Sequence, residues 1–130
     1  MSAGSGKAAL RVVLVEDSPL IAERVRDLLE TEAGAKVVYV ADDESAAIRA
    51  VREHDADVMI LDLQLRRGTG FNVLRALGES RPTTIIMTNY AQPQYRARAK
   101  EFGIEYFLDK SSDFEKLVGI LAEIDGRRPS

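Results

Sequence analysis

Five short apolar runs, each followed by a stretch with helical spacing, constrain the folding of this 130-residue chain more than any other feature. The runs occupy residues 10–15, 36–40, 58–61, 83–87 and 106–108. Each is about one strand long. Several are apolar at consecutive positions, which suits strands covered on both faces. Between them, Leu20, Ile21, Val25, Leu28 and Leu29 recur at helical spacing, with Ser18 as N-cap, Pro19 at the first helical position and Gly34 as a stop. Ala47, Ala50 and Val51 line a second helix that begins near Asp42 or Asp43. Phe71, Val73, Leu74 and Leu77 form a third, ended by Gly78. Pro93 opens a fourth, with Tyr95, Ala99 and Phe102 on one stripe and Gly103 after it. Phe114, Leu117, Ile120, Leu121 and Ile124 define the last, ended by Gly126, and Ser112-x-x-Glu115 predicts a capping box at its start. Such alternation predicts an α/β domain: a parallel sheet covered on both faces, built with right-handed crossovers.

Composition narrows the class further. Hydrophobic residues make up 45%, charged residues 30%, and the net charge is −3, which excludes disorder as the main state. The chain has no cysteine, so disulfides, thiolate catalysis and Cys-ligated metals are excluded together. The slight acidity argues against non-specific binding to nucleic acid or to an anionic membrane. No apolar stretch is long enough to span a bilayer. Residues 1–9 read as a flexible tail without the apolar core of a signal peptide. Within them, Gly4-Ser5-Gly6-Lys7 lacks the preceding strand and the following Ser or Thr of a phosphate loop. One domain is expected over residues 10–125, a second tail over 126–130, and a cytoplasmic location.

In a sheet of this kind, ligands bind outside the carboxyl ends of the strands. The residues standing there are Glu16-Asp17, Asp62, Thr88 and Asp109-Lys110. Singly, each has an ordinary explanation as a solvated turn, a helix cap or a surface residue. Together, they place carboxylates, a hydroxyl and an ammonium from four strands on one rim. Carboxylates packed together repel unless a cation intervenes. An all-oxygen set with few protein ligands suits Mg²⁺. A carboxylate, a divalent cation and a lysine also form a minimal kit for phosphoryl transfer, with Asp as nucleophile and the cations neutralising charge on the transferred group.

These residues resemble the receiver domain of response regulators, the CheY-like family, over roughly residues 10–124. The matching motifs are Val13-Leu14-Val15-Glu16-Asp17, Asp62 with Gly70 eight residues on, Ile85-Ile86-Met87-Thr88, and Gly103-Ile104-Glu105-Tyr106-Phe107-Leu108-Asp109-Lys110. The resemblance implies a flavodoxin-like (βα)5 fold with strand order 2-1-3-4-5. It implies that Asp62 accepts a phosphoryl group from a histidine kinase or a histidine phosphotransfer protein. It also implies that Asp17 and Asp62 ligate Mg²⁺ directly, with Glu16 acting through water and the Gln64 main-chain carbonyl as a further ligand. Lys110 and Thr88 would hold phosphoryl oxygens, and Phe107 would turn inward as Thr88 shifts. Tyr106, beside it, competes with Phe107 for the role of exposed ring. Enzymatic activity would be limited to self-phosphorylation and dephosphorylation at Asp62.

Four residues depart from the family pattern. Ser111 replaces the usual proline after the lysine, so a trans Lys110–Ser111 bond is expected. Leu65-Arg66 replaces Met-Pro after the acceptor, and Asn89 stands where a small residue is usual. These predict altered phosphorylation or hydrolysis rates.

No helix-turn-helix or cyclase motif is found, so a stand-alone regulator without direct DNA or membrane binding is expected, acting on a downstream protein. Tyr90, Tyr95, Arg96, Arg98, Lys100 and Tyr106 are candidates for an interface or a homodimer on the helix-4, strand-5 and helix-5 face. The bland alternative is a solvated basic face. His54 is expected on the exposed side of the second helix. Two other functions compete: an adaptor indifferent to phosphorylation, and a small Mg²⁺-dependent aspartyl phosphatase of the haloacid-dehalogenase type. The phosphatase class wants a second Asp two residues after the nucleophile, where this chain has Gln64. A flavodoxin reading fails because Glu16-Asp17 would repel a flavin phosphate.

Overall fold

A computed structural model describes residues 8–129. The tail expected over residues 1–9, with its Gly4–Lys7 fragment, therefore lies outside the described residues up to position 7, as does Ser130. The elements run β1 (Arg11–Val15), α1 (Pro19–Glu32), β2 (Lys36–Ala41), α2 (Glu44–His54), β3 (Val58–Leu61), α3 (Gly70–Leu77), β4 (Thr83–Thr88), α4 (Pro93–Glu101), β5 (Tyr106–Asp109) and α5 (Lys116–Arg127), with one 3₁₀ turn at Gly78–Ser80. All strand pairs are parallel, and the sheet order is β2-β1-β3-β4-β5.

Consecutive apolar residues in the strands serve two separate cores. Val12 and Leu14 of β1 point to one face, where they join Ile60, Ile85, Val25, Leu29, Leu117 and Leu121 under α1 and α5. Val13 and Val15 point to the other, with Met59, Leu61, Ile86, Val51, Phe71 and Leu74 under α2, α3 and α4. Every residue of β3 is buried, because the period-2 alternation of a strand finds helices on both sides.

Local chemistry sets most helix starts. The Ser18 hydroxyl accepts the Ile21 N–H, Asp43 Oδ1 accepts the Ala46 N–H, and the Thr69 hydroxyl accepts the Asn72 N–H. Pro19 and Pro93 sit in the first turns of α1 and α4.

The last helix departs from expectation at both ends. The capping box at Ser112 and Glu115 does not form, and α5 begins at Lys116 with no side-chain cap. Asp109, Ser111, Ser112 and Asp113 instead close a tight turn. Ser111 donates its N–H and hydroxyl to Asp109 Oδ1, and Asp113 Oδ2 accepts the Asp109 N–H. The Ser112 N–H donates to the Asp109 carbonyl and its hydroxyl to Asp113 Oδ1, so neither half of the box is left for Glu115. Gly126 lies inside α5 rather than ending it, so the tail expected from 126 is partly helical. Arg128 beyond it pairs with Asp125 and Asp57. His54 is half-buried, its ring stacked 5.2 Å from that of Tyr39.

Candidate functional site

Hydrogen bonds of the sheet continue past the ends of the strands, and this fixes the polar residues that follow them. The Glu16 N–H donates to Ala41 O at 2.8 Å, the Asp62 N–H to Val15 O at 3.1 Å, and the Lys110 N–H to Thr88 O at 2.9 Å. Three residues far apart in sequence are thus held on one rim by main-chain bonding before any side chain interacts.

The side chains then converge. Lys110 Nζ lies 2.5 Å from Asp62 Oδ2 and 2.8 Å from Glu16 Oε1. All three side chains are almost fully buried. Glu16 Oε2 accepts the Ser18 N–H at 3.0 Å, and Asp62 Oδ1 accepts the Gln64 N–H at 3.2 Å. Burial pushes the Glu16 carboxyl above its ordinary range, outweighing the Lys110 and Ser18 donors. Burial also opposes the charge on Lys110, but its hydrogen bond to Asp62 and its charge pairing with Glu16 hold its pKa above the ordinary value.

Glu16, Asp17 and Asp62 offer carboxylate oxygens that all lie within 4.8 Å of one another. Three carboxylates against one ammonium leave the cluster short of positive charge. Glu16 Oε1 is buried and makes no hydrogen bond; its contact with Lys110 is a charge pairing outside hydrogen-bond geometry. Asp17 is exposed, so the cluster opens to water on that side. Hard oxygen donors, spare acceptor capacity and solvent access suit a divalent cation such as Mg²⁺, which keeps part of its water shell.

Thr88 is fully buried, and its Oγ1 accepts the Tyr90 N–H at 3.2 Å. Phe107 is half-buried, with the Arg96 guanidinium 4.7 Å from its ring centroid. Tyr106 is buried and donates its hydroxyl to Glu123 Oε2. Of the two competing aromatics, Phe107 is therefore the outward one. The candidate interface residues divide: Tyr90, Tyr95 and Arg98 face a cleft beside α3, Arg96 covers Phe107, Lys100 is exposed, and Tyr106 offers little to a partner. Among the described residues no peptide bond is cis, so Lys110–Ser111 is trans as expected.

Sequence reasoning missed how the loop after Asp62 is held. Arg66 pairs with Asp42, Arg67 with Asp43, and Glu44 Oε2 accepts from the Thr69 N–H and the Asn72 amide. Gly68 has φ +90°, and a Cβ there would fall 1.9 Å from Glu44 Oε2. A Cβ on Gly70 would fall 2.4 Å from the Asp62 carbonyl oxygen. The acidic run Asp42-Asp43-Glu44 and the two glycines were the available signals.

The profile of the response regulator receiver domain matches residues 12–122. The nitrate/nitrite response regulator protein NarP of Escherichia coli is 34% identical over 110 residues, covering 83% of this chain and 51% of that protein. A protein-glutamate methylesterase/protein-glutamine glutaminase of Anaeromyxobacter dehalogenans is 33% identical over 99 residues, covering 72% of this chain and 27% of that protein. The chain thus spans about half, or less, of these relatives. Among solved structures, the signal receiver domain of the putative response regulator NarL from Mycobacterium tuberculosis superposes with a TM-score of 0.83 at 27% identity, covering 94% of this chain and 100% of that one. A LuxR-family two-component response regulator from Aurantimonas sp. SI85-9A1 gives 0.82 at 32% identity, covering 92% and 88%.

Proposed function

Since this chain belongs to the response regulator receiver domains, we propose that it accepts a phosphoryl group on Asp62 and uses it to change a protein-binding face. The observation that carries the reading is Lys110 Nζ seated between Asp62 and Glu16 at 2.5 and 2.8 Å. An Asp62 carboxylate oxygen attacks phosphorus; the new O–P bond forms as the P–N bond of a donor phosphohistidine breaks, and the imidazole leaves. Lys110 is placed to exchange its Glu16 contact for a phosphoryl oxygen. Thr88 can turn its hydroxyl from the Tyr90 N–H toward another. Glu16, Asp17, Asp62 and the Gln64 carbonyl would hold Mg²⁺, which when bound supplies charge neutralisation for the transferred group.

The donor proposed is a histidine kinase or a histidine phosphotransfer protein, in the cytoplasm. The output is contact with a downstream protein, or with a second copy through α4, β5 and α5. Thr88 and Phe107 form the switch. Release of Tyr90 by Thr88 leaves room on that side for the Phe107 ring, coupling a charge change to a packing change.

The test is intact mass after incubation with acetyl phosphate and Mg²⁺. The expected result is a gain of one phosphoryl group, lost in Asp62→Asn. No gain in the wild type refutes the reading in favour of a phosphorylation-independent adaptor. Steady turnover of many phosphate esters would favour the phosphatase.

A further inference from the structure

Between α3 and α4 lies a cleft of about 530 Å³ that the proposed chemistry does not use. Leu63 and Phe71 form its buried floor, and Tyr90 and Tyr95 stand at one side with ring centroids 5.5 Å apart. Arg75 enters from α3 and Arg98 from α4. No acidic side chain lines the cleft. The Arg98 guanidinium rests 4.7 Å from the Phe71 ring centroid, and Arg75 donates to the Asn72 side-chain oxygen. Neither arginine pairs with a carboxylate of the described residues, whereas Arg66, Arg67, Arg127 and Arg128 each do. The nearby Glu44 carboxylate is already shared by Thr69 and Asn72.

Two guanidiniums with no carboxylate directly paired to them, over an apolar floor, leave a net positive potential with room beneath it for a large side chain. Arginine forks match carboxylates, and Tyr and Arg are the residues that most often anchor interfaces. The geometry points to a docking site for an acidic segment of a partner protein carrying one bulky apolar anchor. The anchor fills the floor at Leu63 and Phe71, and flanking carboxylates pair with Arg75 and Arg98. Residues 1–7 and 127–130 do not fit. Lys7, Arg127 and Arg128 carry the wrong sign, and neither residues 1–7 nor 127–130 contain an acidic side chain. The acidic run Asp42-Asp43-Glu44 is engaged by Arg66, Arg67 and Thr69, so the same run of a second copy would have to give up those partners to dock here. The inference concerns the resting chain and stands apart from whether Asp62 reacts.

The test is to pan a random-peptide phage library against the full chain without a phosphodonor, counter-selecting on the Arg75→Glu/Arg98→Glu double variant. Selected peptides should be acidic around an aromatic or leucine anchor, and their amide shifts should map to Phe71, Tyr90 and Arg98. Binding should weaken roughly tenfold or more in Arg98→Glu and by less in Arg98→Gln, which guards against misfolding of the charge-reversed variant. The proposal is overturned if no acidic consensus emerges. It is equally overturned if binding survives Arg98→Glu, if the shifts fall on α1 or α5, or if ATP, offered as an anion carrying a planar base, occupies the cleft where the peptides do not.

Discussion

The Arg96 guanidinium lies 4.7 Å from the centroid of the Phe107 ring while its Nε donates to the Ala91 carbonyl at 2.9 Å. One side chain thus ties the outward ring of the proposed switch to the loop that follows Thr88. Arg96→Ala should remove a cation–π contact of about 0.5–1 kcal/mol and raise the inward population of Phe107 about two- to fivefold. Ring and methyl chemical shifts around Phe107, with and without beryllofluoride, measure this. An unchanged spectrum would leave Arg96 as an ordinary surface residue.

Magnesium should raise the thermal midpoint of the wild type, by mass action, as the equivalent of about 2.7 kcal/mol at a hundredfold excess over Kd. Asp17 is exposed, so Asp17→Asn should fold normally yet lose this response. Lys110→Met leaves Glu16 and Asp62 facing each other without their ammonium. That variant should be less stable in chelator and gain more from Mg²⁺ than the wild type. Melting curves in EDTA and in Mg²⁺ decide; equal gains in all three proteins would contradict the assigned ligands.

Burial and its bond to Glu123 hold the Tyr106 phenol above the usual tyrosine range. The folded state therefore keeps the proton more firmly than the unfolded chain. The stability this contributes is complete below the ordinary tyrosine pKa, near 10, and disappears as pH climbs through the raised folded value. Tyr106→Phe should lose one ionisation step in an alkaline absorbance titration. Its stability deficit, measured in urea, should be constant at neutral pH and shrink above about pH 10.

Gly70 touches the acceptor through the main chain, since an added Cβ would sit 2.4 Å from the Asp62 carbonyl. Gly70→Ala should cost roughly 1–3 kcal/mol through overpacking and slow labelling by acetyl phosphate, because the acceptor's own backbone must shift. Urea unfolding and timed mass spectra test the two effects. Normal labelling in a destabilised variant would separate packing from chemistry.

Much of the fold was legible because it rests on local rules. Short apolar runs placed the strands within a residue or so, and helix starts were marked by Ser18 and Asp43, through side-chain bonds spanning three residues, and by Pro19 and Pro93, through their fixed φ. The end of the chain misled. The capping signal at Ser112 is local, but the turn after β5 draws the Ser112 N–H to the Asp109 carbonyl and its hydroxyl to Asp113, and α5 starts later without a side-chain cap. Likewise, whether Tyr106 or Phe107 faces out depends on which side of β5 meets α5, a fact of packing rather than of spacing.

The sequence by itself determined the βα alternation and the kinds of polar residue at the strand ends, because periodicity and capping act over a few residues. Tertiary structure alone decided that Lys110 spans Glu16 and Asp62, that Arg96 covers Phe107, and that Arg75 and Arg98 share a cleft without a carboxylate. Those partners are many residues apart in sequence or on different elements. Their meeting is set by sheet order and by which helix covers which face, which no short window of residues encodes.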